Sequence, residues 1–312
     1  MSSSAEKYAH QAVLISLYCN IVLVVLKCIA LVLVNSLAIA MDLGISFVGL
    51  SVSVILYYSI KLANRPADFV HNYGYGKVEN VCEGLEGVVL IGIALAMSGQ
   101  AVMNLIHPEP VTHPWLGFGA SVISVLINLG GAYFIFKMAR KSASPAIHAE
   151  GLHYMLEGLI SGIIACAFVL TMVMISRGLG QIALYFDPLA ALVTSFVVII
   201  PSCRLAKGSF FKLLDASMEE GSQMEILKYV TRHISKFCEF KDLRTRTAGR
   251  MKFIDLKVVI PEEITLKRGY EITNAIAKDI HEGVPNCEVQ IRMEPCNKDC
   301  EFFHKKKTCP YL

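Results

Sequence analysis

Between positions 12 and 205 the chain is a succession of six long apolar blocks, at 12–34, 37–60, 81–106, 114–136, 152–176 and 188–205. Each is close to the about 20 residues that a helix needs to cross a hydrocarbon core. That feature predicts an α-helical membrane protein with six transmembrane helices. Composition agrees, with 54% apolar and 18% charged residues and a mean hydropathy of +0.52, against about 25% charged in soluble domains. This balance argues against an ordinary soluble enzyme, and no enzymatic activity or cofactor is expected. The net charge of +3 is too weak to point to nucleic acid. No Gly-x4-Gly-Lys-Ser/Thr loop is present, which speaks against ATP-driven pumping.

Asn35 and Ser36 leave almost no room between the first two blocks, so these should form a helical hairpin. Pro201 is expected to kink or end the sixth span. Lys61, Arg65 and Lys77 lie between spans two and three, and Lys137, Arg140 and Lys141 between four and five. Arg204, Lys207 and Lys212 follow span six, whereas the opposite side carries only Arg177. The positive-inside rule then places both termini in the cytoplasm; a multi-pass protein of a bacterial-type plasma membrane is the expectation. The expected organisation is a cytosolic N-terminal segment (1–11), a transport domain (12–208), a cytosolic domain (209–295) and a Cys-rich basic tail (296–312). Of ten cysteines, Cys19, Cys28, Cys82, Cys166 and Cys203 fall in or beside spans, and five belong to the reducing cytosolic part. Disulfides are therefore not expected.

Ionisable groups inside spans are costly and mark pathways. Span two carries Asp42 and Ser46, and span five carries His153 and Glu157. Each pair is spaced i, i+4, on one helix face. Facing each other, the four would offer N/O ligands to a tetrahedral divalent ion. Two carboxylates give −2 and a divalent cation neutralises them. Without metal they should take up protons, so metal–proton exchange follows. Taken alone, Ser46 also fits a plain hydroxyl at a span interface. Lys27 in span one either snorkels or pairs with an internal acid, and is assigned a structural role. Glu83 and Glu86 are placed near a hydrated cytoplasmic end.

These residues, with Pro66-Ala67-Asp68-Phe-Val-His71-Asn-Tyr-Gly74-Tyr75-Gly76-Lys77-Val-Glu79 between spans two and three, resemble the cation diffusion facilitator family over nearly all of 10–297. The resemblance implies a homodimeric, proton-coupled exporter of zinc or a related metal with a ferredoxin-like cytosolic domain. It also implies departures. Ser46 stands for an acid and Glu157 for Asp. In the loop, Asp68 and His71 keep the pattern and Tyr75 replaces a second His, which leaves a weak site or a hydrated polar turn. Lys77 and Asp215 match a pair that links the two domains near the dimer axis. Lys241, Lys257, Tyr270 and Arg292 stand where zinc members place cytosolic histidines, and only Glu294 keeps an acid, so no regulatory zinc pair is expected.

The cytosolic part reads α-β-β-α-β: an amphipathic helix over 222–237 with Met224, Leu227, Val230, Ile234 and Phe237 on one face, strands at 241–247 and 251–259, a helix over 265–282 and a strand at 288–293. In the tail, Cys296, Cys300, His304 and Cys309 have the composition of a tetrahedral site, or of a flexible basic tail with free thiols. The expected function is secondary-active export of a divalent transition metal, zinc first and iron(II) or another ion next. Its partners are the metal, protons, the bilayer and a second copy. The alternative is a transport-poor relative that senses metal or stabilises a partner transporter.

Overall fold

The computed structural model describes residues 3–63, 68–142, 145–249 and 251–297. The chain divides into two compact units, residues 1–66 with 82–208, and residues 67–81 with 209–312.

The first unit is built on six helices long and apolar enough to cross a membrane: α1 (Ser3–Val34), α2 (Leu37–Ala63), α3 (Gly76–Ile106), α4 (Pro114–Ser142), α5 (Pro145–Ser176) and, after the short α6 (Gly180–Ala183), α7 (Phe186–Leu213). The α1–α2 hairpin closes as the sequence suggests. Asn35 takes φ +49°, which Asn tolerates better than most residues. Ser36 Oγ then accepts from the Ile39 N–H at 3.1 Å as the N-cap of α2. Asp187, at the start of α7, accepts from Ser36 Oγ, from Leu37 N at 2.8 Å and from Ala38 N at 3.4 Å. A carboxylate thus satisfies the free amides of the α2 N-terminus and complements its dipole.

The sixth span departs from expectation, because α7 runs through Pro201 to Leu213. Pro201 removes one intrahelical hydrogen bond without breaking the helix, as packed membrane helices allow. Small residues let α4 and α5 approach closely. A Cβ on Gly131 would lie 3.0 Å from the Tyr154 ring, and one on Gly151 would lie 2.8 Å from Phe136. Tyr154, fully buried, donates its hydroxyl to the Ser16 carbonyl at 2.6 Å, which ties α5 to α1.

The second unit holds α8 (Glu220–Thr231), β1 (Glu239–Ala248), β2 (Met251–Ile260), α9 (Leu266–Gly283) and β3 (Cys287–Pro295). β1 pairs antiparallel with the central β2, and β2 pairs parallel with β3. Ile272, Ile276 and Ile280, at i, i+4 and i+8 of α9, pack with Ile226 and Val230 of α8 and with Ile254, Leu256 and Val258 of β2. The first helix is shorter than the 222–237 expected. It ends at Thr231, a 3-10 turn follows at Ile234–Lys236, and Phe237 turns extended (φ −143°) to enter β1. Met224 and Ile234 are exposed, so the buried face centres on Ile226.

The glycines of the 66–79 motif have a packing reason. Gly74 adopts φ +74°, and a Cβ on Gly76 would lie 2.2 Å from the Ala248 carbonyl oxygen. The start of α3 therefore packs backbone to backbone on the β1–β2 turn. Arg246 lies over Tyr73 and Phe253, at 4.9 and 4.2 Å from the ring centroids. Lys77 Nζ meets Asp215 Oδ1 at 3.1 Å, with both side chains about half exposed, and Arg246 Nη1 reaches the same oxygen at 3.5 Å.

Asp215→Ala should cost no more than about 1 kcal/mol, the range for exposed ion pairs. Gly76→Ala should cost about 1–3 kcal/mol through overpacking. Thermal unfolding of the full-length protein in detergent checks this ranking, and a larger loss for Asp215→Ala would reverse it.

Candidate metal centre

Three helices each turn a polar stripe inward. On α1 the residues are Ser16, Asn20 and Lys27; on α2, Asp42, Ser46 and Ser53; on α5, Glu150, Glu157 and Ser161. All nine are buried in spans that are otherwise strongly apolar. Asp42–Ser46 and His153–Glu157 each share a helix face, and the two faces meet at Ser46 and Glu157. Ser46 Oγ donates to Glu157 Oε2 at 2.9 Å, and His153 Nε2 lies 3.2 Å from Glu157 Oε1.

What occupies the centre of this group is Lys27. Its ammonium lies 2.8 Å from Asp42 Oδ1, donates to Ser46 Oγ at 2.6 Å, and stands 3.7 Å from Glu157 Oε2. Lys27 is 2% exposed, so it does not snorkel to an interface. The charge balance changes accordingly. Two carboxylates and one ammonium give −1 with a neutral imidazole, not −2. A divalent ion added beside the ammonium would leave excess positive charge in low dielectric, so metal and ammonium compete for the same oxygens.

Two further residues have no counterpart in the sequence-based reading. Ser161 Oγ donates to Asp42 Oδ2 at 3.1 Å. It lies four residues beyond Glu157, so the i+4 periodicity of α5 would have found it. Gly49 faces His153: a Cβ there would sit 2.8 Å from His153 Nε2 and 3.0 Å from Glu157 Oε1. The absence of a side chain makes room for the imidazole, and periodicity on α2 would have pointed there too. Asp42 thus touches Lys27 and Ser161, while Glu157 touches Ser46 and His153. The four expected ligands form two adjoining halves bridged by the ammonium.

The other candidate sites are weaker. Asp68 accepts from Tyr75 Oη at 2.6 Å, His71 N at 2.6 Å and Val70 N at 3.0 Å. These bonds, the Tyr75 hydroxyl first, hold its carboxyl below the usual carboxylate range. Asp68 therefore serves as the acceptor of its own turn, with His71 Nδ1 at 3.5 Å and the His71 ring 4.2 Å from that of Tyr75. In the cytosolic sheet, Lys257 Nζ bridges Asp242 at 2.8 Å and Glu294 at 3.2 Å, and Lys241 meets Glu239 at 3.2 Å. The Lys257 ammonium lowers the Asp242 pKa and its own is raised in turn. An ion-pair cluster stands at these positions, with Tyr270 exposed. Cys296 donates its N–H to the Ile260 carbonyl at 2.8 Å; Cys300, His304 and Cys309 lie outside the described residues. Among the described residues, no three His, Cys, Asp or Glu side chains gather closely enough to hold a metal by themselves.

Comparison with known proteins agrees with this architecture. Residues 13–214 match the cation efflux transmembrane domain, and residues 219–296 match the cytoplasmic domain of cation efflux proteins. An uncharacterized transporter of Synechocystis, sll1263, is 27% identical over 285 residues, covering 91% of this chain and 90% of that protein. The cation-efflux pump FieF of Salmonella newport is 26% identical over 275 residues, covering 88% and 89%. A solved structure of the putative zinc transporter CzrB aligns with 26% of this chain and all of that one, at 18% identity and a TM-score of 0.25. With more than half of its length matched to one family, the chain is a member of the cation efflux, or cation diffusion facilitator, family of transporters.

Proposed function

We propose that this protein is a secondary-active exporter of a divalent transition metal, with zinc as first choice. The metal binds Asp42, His153 and Glu157 between α2 and α5, Ser46 contributes a hydroxyl, and protons moving inward drive the exchange. The observation that carries this reading is a buried ammonium set between Asp42 and the Glu157–His153 pair, two acidic halves inside the bundle joined only by that tethered cation. An N/O donor set of this kind suits zinc, with iron(II) and other first-row ions next. Lys27 gives the resting state its positive charge. Metal arriving at Asp42 and Glu157 displaces Lys27, whose ammonium releases a proton to the cytoplasm as it withdraws, and a proton from the other side recharges the amine as the metal leaves outward. The excess of Lys and Arg on one side supports termini in the cytoplasm. The cytoplasmic-domain match supports a homodimer.

A second reading has its own observations. Lys27 fills the centre and Gly49 offers no ligand, as a transport-poor sensor or a scaffold for a partner transporter would allow. Flux of Zn2+ in sealed proteoliposomes under an imposed pH gradient separates the two. The exporter moves Zn2+ in step with the gradient, and the scaffold moves none.

Asp42→Ala and His153→Ala should each lower that flux by more than about 100-fold, whereas Ser46→Ala should cost about 10-fold, since a hydroxyl is a weaker ligand. Equal losses in all three would contradict the assignment of ligands. Lys27→Met should leave Asp42 and Glu157 unpaired and lower the metal-free melting temperature. Zn2+ should then restore stability, by about 2.7 kcal/mol at 100-fold excess over Kd. A Lys27→Met protein whose melting ignores Zn2+ would show that the metal does not use these carboxylates.

A further inference from the structure

Two helical turns from the Ser46–Glu157 contact, the same three helices build a second polar cluster. Glu150 Oε1 accepts from Ser16 Oγ at 2.5 Å and from Ser53 Oγ at 3.0 Å, and these two hydroxyl oxygens are 2.8 Å apart. Asn20 Nδ2 donates to Ser53 Oγ at 2.8 Å. Ser16, Asn20 and Ser53 are fully buried and Glu150 is 7% exposed. Two features are left unresolved by these contacts. The Asn20 carbonyl oxygen is buried without a hydrogen-bond partner. Among the described residues, no cationic side chain pairs with Glu150, although buried carboxylates ordinarily acquire a cation.

We propose that Glu150, Ser16, Ser53 and Asn20 form a staging site where a divalent metal ion waits before it enters the Lys27-filled centre. This inference rests on the transport reading above. Three oxygens already stand in a triangle within 3.0 Å of one another. Turning the Asn20 amide brings its carbonyl to the same group as a fourth. Glu86 of α3 and His153 lie within electrostatic range of Glu150, so the surroundings add a second carboxyl and an imidazole. The levels alternate along α2 and α5: Ser53 with Glu150, Gly49 with His153, and Ser46 with Glu157. At 1.5 Å rise per residue, the outer levels are about 10 Å apart. The gap left by Gly49 puts His153 between them as a ligand that either level can hand metal to. All-oxygen donors hold first-row ions more loosely than a site with imidazole, which suits a stop along a route. The Lys27 centre carries its own ammonium and the Glu150 cluster, nearer the cytoplasmic ends of these helices, carries none among the described residues, so an ion arriving from the cytoplasm meets Glu150 without a competitor.

The test uses the full-length protein in lipid nanodiscs, with Zn2+ alone as the probe in equilibrium dialysis, and the same variants in proteoliposomes. Glu150→Gln should bind one Zn2+ fewer per protomer than wild type, and Glu157→Gln should lose a different one, so that the double variant loses both. In flux, Glu150→Gln should raise the half-saturating Zn2+ concentration about tenfold with little change in maximal rate, and Ser53→Ala should shift it the same way by less. Wild-type stoichiometry and half-saturation in Glu150→Gln would overturn the staging site. So would a collapsed maximal rate at unchanged half-saturation, which is the mark of a structural group. A wild type that moves no Zn2+ would instead overturn the transport reading, and the staging role with it.

Discussion

The contact of the Lys27 ammonium with Asp42, Ser46 and Glu157 governs the rest of the membrane unit. Each of these groups would be costly in the interior of the bundle without the others. Removing one partner of a buried pair typically costs about 3–5 kcal/mol, because the remaining charge stays buried. The contact therefore fixes which faces of α1, α2 and α5 turn inward. It also gives the centre its chemistry. Its two carboxylates are partly neutralised by a cation on a flexible four-carbon stem, which in the proposed exchange leaves without breaking the fold's backbone contacts. A site held by a rigid partner would be stable and closed, whereas one held by a tethered ammonium can be exchanged.

The remaining packing serves to keep these three helices in place. Tyr154 donates across to the Ser16 backbone, and Asp187 gathers the start of α2. Gly131 and Gly151 let α4 pack closely on α5. The free amides at the start of α2 are thus satisfied by a side chain from another span. The second unit is held differently. An isoleucine stripe on α9 packs on β2, and ion pairs such as Lys257 with Asp242 and Glu294 occupy exposed positions. Those pairs are modest in energy, so the apolar face carries the stability of that sheet.

Much of this was legible in the sequence because it depends on periodicity and punctuation. The six spans, the Asn35–Ser36 hairpin and the α-β-β-α-β order follow from apolar runs and turn residues. That Asp42 shares a face with Ser46, and His153 with Glu157, follows from i, i+4 spacing; that the two faces meet at Ser46 and Glu157 does not. The failures are also local. Of the two outcomes expected at Pro201, a kink or an end, the second does not occur, and the helix runs on to Leu213 rather than stopping at 205. The helix expected to reach 237 stops at Thr231, because Phe237 is needed in extended form at the mouth of β1. Lys27 was legible as a buried charge but not as the occupant of the centre, since one helix's period does not tell which neighbour it faces. Gly49 carries no side chain to draw attention, and its role appears only when His153 is seen against it.

The central claim is that metal and the Lys27 ammonium exchange for one set of oxygens. Anomalous diffraction at the zinc edge, on wild-type crystals grown with and without Zn2+, tests it most directly. The account predicts a zinc peak bounded by Asp42, His153 and Glu157, with Lys27 Nζ withdrawn from the 2.8 Å contact it makes with Asp42 in the absence of metal. A zinc ion bound elsewhere in the bundle while Lys27 keeps that contact would contradict it.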